Sequence, residues 1–96
     1  MTPEETRFAA IGASLPGAEA GKLFGKPCFK REGKAFLCLF QNEMVFKLTG
    51  PGHARALAVP GAQLFDPSGK GRPMKEWVQV PAQGDWEGFA AEASPV

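Results

Sequence analysis

The residues best placed to meet an anion lie in Ser68-Gly69-Lys70-Gly71-Arg72, inside the turn-rich run DPSGKGRPM. Glycines there let backbone N–H groups approach a phosphate or carboxylate, and Lys70 and Arg72 add positive charge. The spacing is not that of G-x-x-x-x-G-K-[ST], and the run leads into a strand instead of a helix N-terminus. Neither a P-loop nor a dinucleotide fingerprint is present. Two readings stand side by side: a plain basic hairpin loop, and a loop that contacts anions or nucleic acid.

Cys28, Cys38 and the single histidine, His53, are the other reactive side chains. They lack metal-ligand spacing, so no metal and no cofactor are expected. A Cys–His nucleophile would require the fold to bring Cys28 to His53, and no carboxylate is evident to orient the ring. His53 is read as an exposed or helix-capping residue. Paired carboxylates for acid–base work are not apparent, no catalytic residue is assigned, and the chain is not expected to be an enzyme.

These residues hang on the stretch Phe24 to Leu48, FGKPCFKREGKAFLCLFQNEMVFKL, which reads as a three-stranded antiparallel meander. Glu32-Gly33 is a two-residue hairpin turn, with glycine available for positive φ. With Arg31 opposite Lys34, the expected pairs are Lys30 with Ala35, Phe29 with Phe36, Cys28 with Leu37 and Pro27 with Cys38. A three-residue loop, Gln41-Asn42-Glu43, sets Phe40 against Met44, Cys38 against Phe46 and Phe36 against Leu48. A two-residue loop is rejected because it would put Lys47 opposite Cys38. The predicted core face is Phe29, Phe36, Cys38, Phe40, Met44, Phe46 and Leu48.

The other face then carries Lys26, Cys28, Lys30, Ala35, Leu37, Leu39, Val45 and Lys47. It is either a solvated face with lysine stems over small apolar groups or a binding face for an anionic or protein partner. Leu37, Leu39 and Val45 could equally be a dimer face. The cysteines fall on opposite faces in this register, so no disulfide is expected, with Cys38 a core residue and Cys28 a partly covered thiol.

Around the meander, TPEETRFAAIGASLPG reads as a helix with Thr2 as N-cap, Pro3 in the first turn, a Thr2–Glu5 capping box and a Phe8, Ile11, Leu15 stripe facing the sheet. The first strand is expected to begin near Lys22. After Thr49-Gly50-Pro51, GHARALAVPG predicts a short helix with Ala54, Leu57 and Ala58 inward. Ala62 to Phe65 and Lys75 to Val80 read as strands. Asp85 to Ala93 reads as a helix with Asp85 as N-cap and Trp86, Phe89, Ala90 and Ala93 on one face.

The chain has 96 residues, 44% hydrophobic and 22% charged, with a net charge of +1. That fits one α+β domain over residues 1–96 and excludes disordered or membrane-spanning classes, since no apolar run approaches the ~18 residues a spanning helix needs. MTPEETRF lacks a basic and an apolar signal region, so a cytoplasmic location is expected. Charge is uneven: residues 21–47 carry +4 and residues 70–76 carry +2, while both ends are acidic. A sequence pI of about 7.8 allows only weak nucleic-acid binding.

The runs GKPCFKREGKAFLCLF, MVFKL and DPSGKGRPMKEWVQVP together resemble the TfoX N-terminal domain-like family of bacterial proteins, and the layout is similar to the related YjbR (MmcQ-like) family. The shared features are Gly33, Lys34 and Phe36 in one strand, Met44, Phe46, Lys47 and Leu48 in the next, and the basic Gly-rich loop running into a strand that ends at Val80-Pro81. The resemblance implies a small α+β fold and a regulatory role, TfoX itself being tied to natural competence and YjbR-like proteins being described as DNA binders. The expected architecture is a curved, mainly antiparallel five-stranded sheet in the order α-β-β-β-α-β-β-α, with the terminal helices on its Phe-rich face. The expected function is a non-enzymatic regulatory or protein-interaction module. The alternative is a weak nucleic-acid binder using Lys26, Lys30, Lys47, Lys70, Arg72 and Lys75, and a small enzyme is the least favoured class.

Overall fold

Helix α1 (Pro3–Ser14) starts where its capping box sets it: Thr2 Oγ1 accepts from the Glu5 amide at 3.1 Å, and the Glu5 carboxylate accepts from the Thr2 amide at 2.9 Å. The computed structural model describes residues 2–23, 25–66, 71 and 74–93, Leu23 by its backbone alone. Phe8 and Ile11 are buried, as the stripe predicts, and Phe8 meets Phe29 with ring centroids 5.1 Å apart. Arg7 ties the helix to the far end of the chain. Its guanidinium donates to the Ala82 carbonyl at 2.7 Å, the Gly84 carbonyl at 3.3 Å and the Glu87 carboxylate at 2.9 and 3.0 Å, and lies 4.5 Å from the Trp86 ring.

Six antiparallel strands are described: β1 (Glu19–Leu23), β2 (Lys26–Arg31), β3 (Lys34–Phe40), β4 (Glu43–Lys47), β5 (Gln63–Phe65) and β6 (Met74–Val80). They lie in the spatial order β1-β2-β3-β4-β6-β5. Helix α2 (Gly50–Leu57) joins β4 to β5, and α3 (Trp86–Ala93) follows β6. The fold is α+β, but the order α-β-β-β-β-α-β-β-α replaces the five-stranded order expected from sequence. The extra strand, β1, reads Glu-Ala-Gly-Lys-Leu and has neither β-propensity nor alternation. It is an edge strand held by its ladder to β2, from Glu19↔Lys30 to Leu23↔Lys26, with Gly25 at φ 76° in the turn between them. Pairing here overrides propensity.

Both inner hairpins depart from the predicted register. Arg31↔Lys34 and Lys30↔Ala35 hold, but a bulge then places Phe29 opposite Leu37 and Cys28 opposite Cys38. The extra residue, Phe36, joins Leu37 on the helix-covered side. The second turn has two residues, not three: Gln41 and Asn42 take φ of 52° and 62°, the pair of positive values that a type I′ hairpin needs. Phe40 therefore faces Glu43, Leu39 faces Met44, and Cys38 faces Val45 where Phe46 was expected; the two-residue loop does not bring Lys47 opposite Cys38, which removes the ground for rejecting it.

These shifts exchange two pairs of residues between faces. Leu37 and Leu39, expected outside, pack with Phe29, Phe36, Met44, Phe46, Leu48, Val78 and Val80 under the helices, where Trp86, Phe89, Ala90 and Ala93 of α3 close the core. Cys38 and Phe40, expected inside, lie on the opposite face with Cys28, Val45, Phe65 and Trp77. The Trp86 indole N–H donates to the carbonyls of Val80 and Pro81, both at 3.0 Å, which satisfies its one polar atom inside the core. Helix α2 is turned from its predicted phase: it buries Gly52 and Ala56, while Ala54, Leu57 and Ala58 are exposed. Gly52 lies against the Glu92 carboxylate of α3, so a side chain there would displace that carboxylate. No helix among the described residues is long and apolar enough to cross a membrane.

Candidate functional site

The Glu32-Gly33 turn brings two cations face to face, Arg31 and Lys34, because a two-residue hairpin leaves its flanking residues directly opposed. Like charges directly opposed across a ladder are destabilising. Arg31 is half-buried, with its guanidinium bonded to the Pro16 carbonyl and 5.8 Å from the Phe36 ring. Lys34 and Lys47 are exposed. These three cations line a cleft of about 520 Å³ at one end of the sheet, between the β2–β3 hairpin, the end of β4 and the last turn of α3. Phe36 and Leu48, 4% and 3% exposed, form its apolar floor. Glu32 and Glu92 are its acidic members, and Glu92 is engaged in an ion pair with Arg55.

The residues proposed from sequence for anion contact are not brought together as a set. Lys47 lines the cleft. Lys26 and Lys30 lie on the helix-free face, both half-buried: the Lys26 ammonium stands 4.7 Å from the Phe40 ring, and the Lys30 stem runs across Gly21 with Glu19 opposite it in the ladder. Lys75 is exposed, and its carbonyl accepts a 2.7 Å hydrogen bond from His53 Nε2. His53 is thus a half-buried tie between α2 and β6, and its carbonyl partner fixes Nε2 as the protonated nitrogen. Lys70 and Arg72 lie outside the described residues. Arg31 and Lys34 were missed as site residues, although their facing charges at a hairpin mouth were already readable in the sequence.

The proposed dimer patch does not exist as a surface: Leu37 and Val45 are 0% exposed and Leu39 is 6% exposed. Nor are the cysteines on opposite faces. They are ladder partners on the helix-free face, 1% and 0% exposed, with both thiols free. Burial pushes both thiols up, Cys38 to about 11 with Cys28 as a second cause, so both are protonated at neutral pH. Among the described residues no cluster of three or more His, Cys, Asp or Glu could hold a metal. Comparison with known proteins returns no match: no family model fits the chain, and no curated protein or solved structure matches it.

Proposed function

We propose that this chain is a non-enzymatic regulatory or protein-interaction module of the TfoX N-terminal kind, and that the cleft at the end of the sheet takes an acidic segment of a protein partner. The observation that carries this reading is the union of Arg31, Lys34 and Lys47 with the apolar floor of Phe36 and Leu48. A cationic rim over buried apolar surface suits a carboxylate-bearing segment anchored by one apolar side chain, the rim setting orientation and on-rate and the floor supplying affinity. The sequence resemblance to a family of regulatory proteins points the same way.

Nucleic acid is the competing partner, and the placement of Lys26 and Lys30 counts against it: both stems are laid against the sheet, one over Phe40 and one over Gly21, instead of reaching outward in a row. The test is a titration with a short synthetic peptide holding one phenylalanine between acidic residues, followed through the amide resonances of Arg31, Lys34 and Leu48. Saturable shifts confined to the cleft, weakened by salt and lost in the Lys34→Glu, Lys47→Glu double variant, are the expected result. Shifts spread evenly over the surface would overturn it. A mixed-sequence DNA duplex titrated in parallel by anisotropy would take over the assignment if it bound with a steep salt dependence and the peptide did not.

A further inference from the structure

We infer that Cys28 and Cys38 are a disulfide-forming pair, converted to an intramolecular cross-strand disulfide by a small-molecule disulfide such as oxidised glutathione. The argument begins at the Gln41-Asn42 turn. In a two-residue hairpin the flanking residues, Phe40 and Glu43, exchange both ladder hydrogen bonds, and along an antiparallel ladder such pairs alternate with non-hydrogen-bonded ones. Leu39↔Met44 is then non-hydrogen-bonded and Cys38↔Val45 hydrogen-bonded. The Cys38 N–H and C=O point at β4, which leaves Cys28↔Cys38 across β2 and β3 as a non-hydrogen-bonded pair.

That kind of pair is the closer of the two, with Cα atoms about 4.5 Å apart and both side chains on one face. The separation falls at the short end of the roughly 4.4–6.8 Å that disulfides span. Ladder partners hold their Cβ atoms about 4.5–5.5 Å apart, slightly more than a relaxed disulfide wants, so closing the bond draws β2 and β3 together. A bond formed under that constraint belongs to the labile, reducible class and not to the permanent structural one.

The two sulfurs have different access. Cys38 lies between β2 and β4 in the interior of the sheet, whereas the ladder partner of Cys28 on its outer side is Gly21, which has no side chain. What covers that side is the movable stem of Lys30, whose Cε lies 3.1 Å from where a Cβ on Gly21 would be. Lys22 on β1 and Lys30 on β2 favour the Cys28 thiolate against the opposing effect of burial, and Lys26 on β2 acts in the same direction on Cys38. Cys28 is therefore the attacking sulfur. Its thiolate attacks one sulfur of oxidised glutathione, breaking that S–S bond, and the departing glutathione thiolate takes up a proton. The Cys38 thiolate then attacks the Cys28 sulfur of the mixed disulfide and expels the second glutathione. Two cysteine thiols are oxidised and one glutathione disulfide is reduced to two thiols.

The bond would lock β2 to β3 beside the bulge that shapes the hairpin carrying Arg31 and Lys34. The experiment incubates the folded, reduced chain in glutathione redox buffers of rising oxidised fraction until composition is constant. It is then quenched in acid, denatured and alkylated, and intact and peptide masses are read. The expected product is a monomer lighter by two hydrogens, with no alkylation and with the tryptic peptides bearing Cys28 and Cys38 joined. It should be absent in Cys28→Ser and in Cys38→Ser. Two alkylated thiols at every poise, a stable mixed glutathione adduct on wild type, or a disulfide between two chains would each overturn the inference. The wild-type peptide map decides the matter even if a serine variant fails to fold.

Discussion

The two faces of the sheet are built from the same strands and closed in different ways. Under the helices, aromatic rings meet across layers, Phe8 with Phe29 and Phe46 with Phe89 at 5.1 and 5.8 Å. On the opposite face the strands seal themselves: Phe65 packs against Phe40 at 5.3 Å and Trp77 at 6.5 Å, over Cys28, Cys38 and Val45. A face without a helix layer is thus still a core, and it sets its two thiols among rings of its own. What differs is what the rings pack against: helices on one side, neighbouring strands and two thiols on the other.

The sharpest way to break this comparison is to truncate one ring on each face. Phe46→Ala and Phe65→Ala should each cost about 3–5 kcal/mol in denaturant unfolding, because both side chains are 0% exposed. A loss below about 1 kcal/mol for Phe65→Ala would mean that the helix-free face is surface and the comparison fails. Arg7→Ala should cost about 1–2 kcal/mol. Its ion pair with Glu87 is 32% and 59% exposed and contributes little. The bonds to the Ala82 and Gly84 carbonyls and the contact with Trp86 carry the rest.

A smaller effect separates packing from propensity on the covered face. Gly12→Ala should gain about 1 kcal/mol as a helix substitution. The new methyl would, however, collide with the Phe29 ring, an overpacking that costs about 1–3 kcal/mol. A net loss of about 1 kcal/mol is expected, and a net gain would show that α1 stands further from the sheet.

The last effect belongs to the thiol face and is confined to alkaline pH. The Cys38 thiol rises from its ordinary 9.0 to about 11, so between those values the folded chain keeps a proton that the unfolded chain releases. Stability should therefore fall as pH rises through that window, and the fall should be shallower in Cys38→Ser.

Where the sequence carried local punctuation, the structure follows it. The Thr2–Glu5 box, the buried Phe8 and Ile11, the Glu32-Gly33 turn and the apolar stripe of α3 were all legible. Each was signalled by a pattern of residues a few positions apart. The register beyond Lys30 was not legible, for a physical reason: Phe36 to Phe40 is apolar at every position, so alternation cannot say which side faces the helices. The bulge at Phe36 then shifts the remainder of β3 by one residue relative to β2. The type I′ turn was hidden because Gln41 and Asn42 adopt positive φ without a glycine to announce it. Strand β1 was hidden because the ladder, and not its own side chains, makes it a strand. Of the cleft, Lys47 was singled out in the sequence. Arg31 and Lys34 had been placed opposite one another but not recognised as part of a site.

The placement of the faces, the thiol pair and the hairpin that carries the cleft all depend on one register, and proton–proton contacts between backbone α-hydrogens report it directly. A non-hydrogen-bonded antiparallel pair brings its two α-hydrogens together, so a strong contact between those of Cys28 and Cys38 is the predicted result. A register with Cys28 opposite Leu37, and no contact between the two cysteines, would contradict the account and return Leu37 and Leu39 to the face away from the helices.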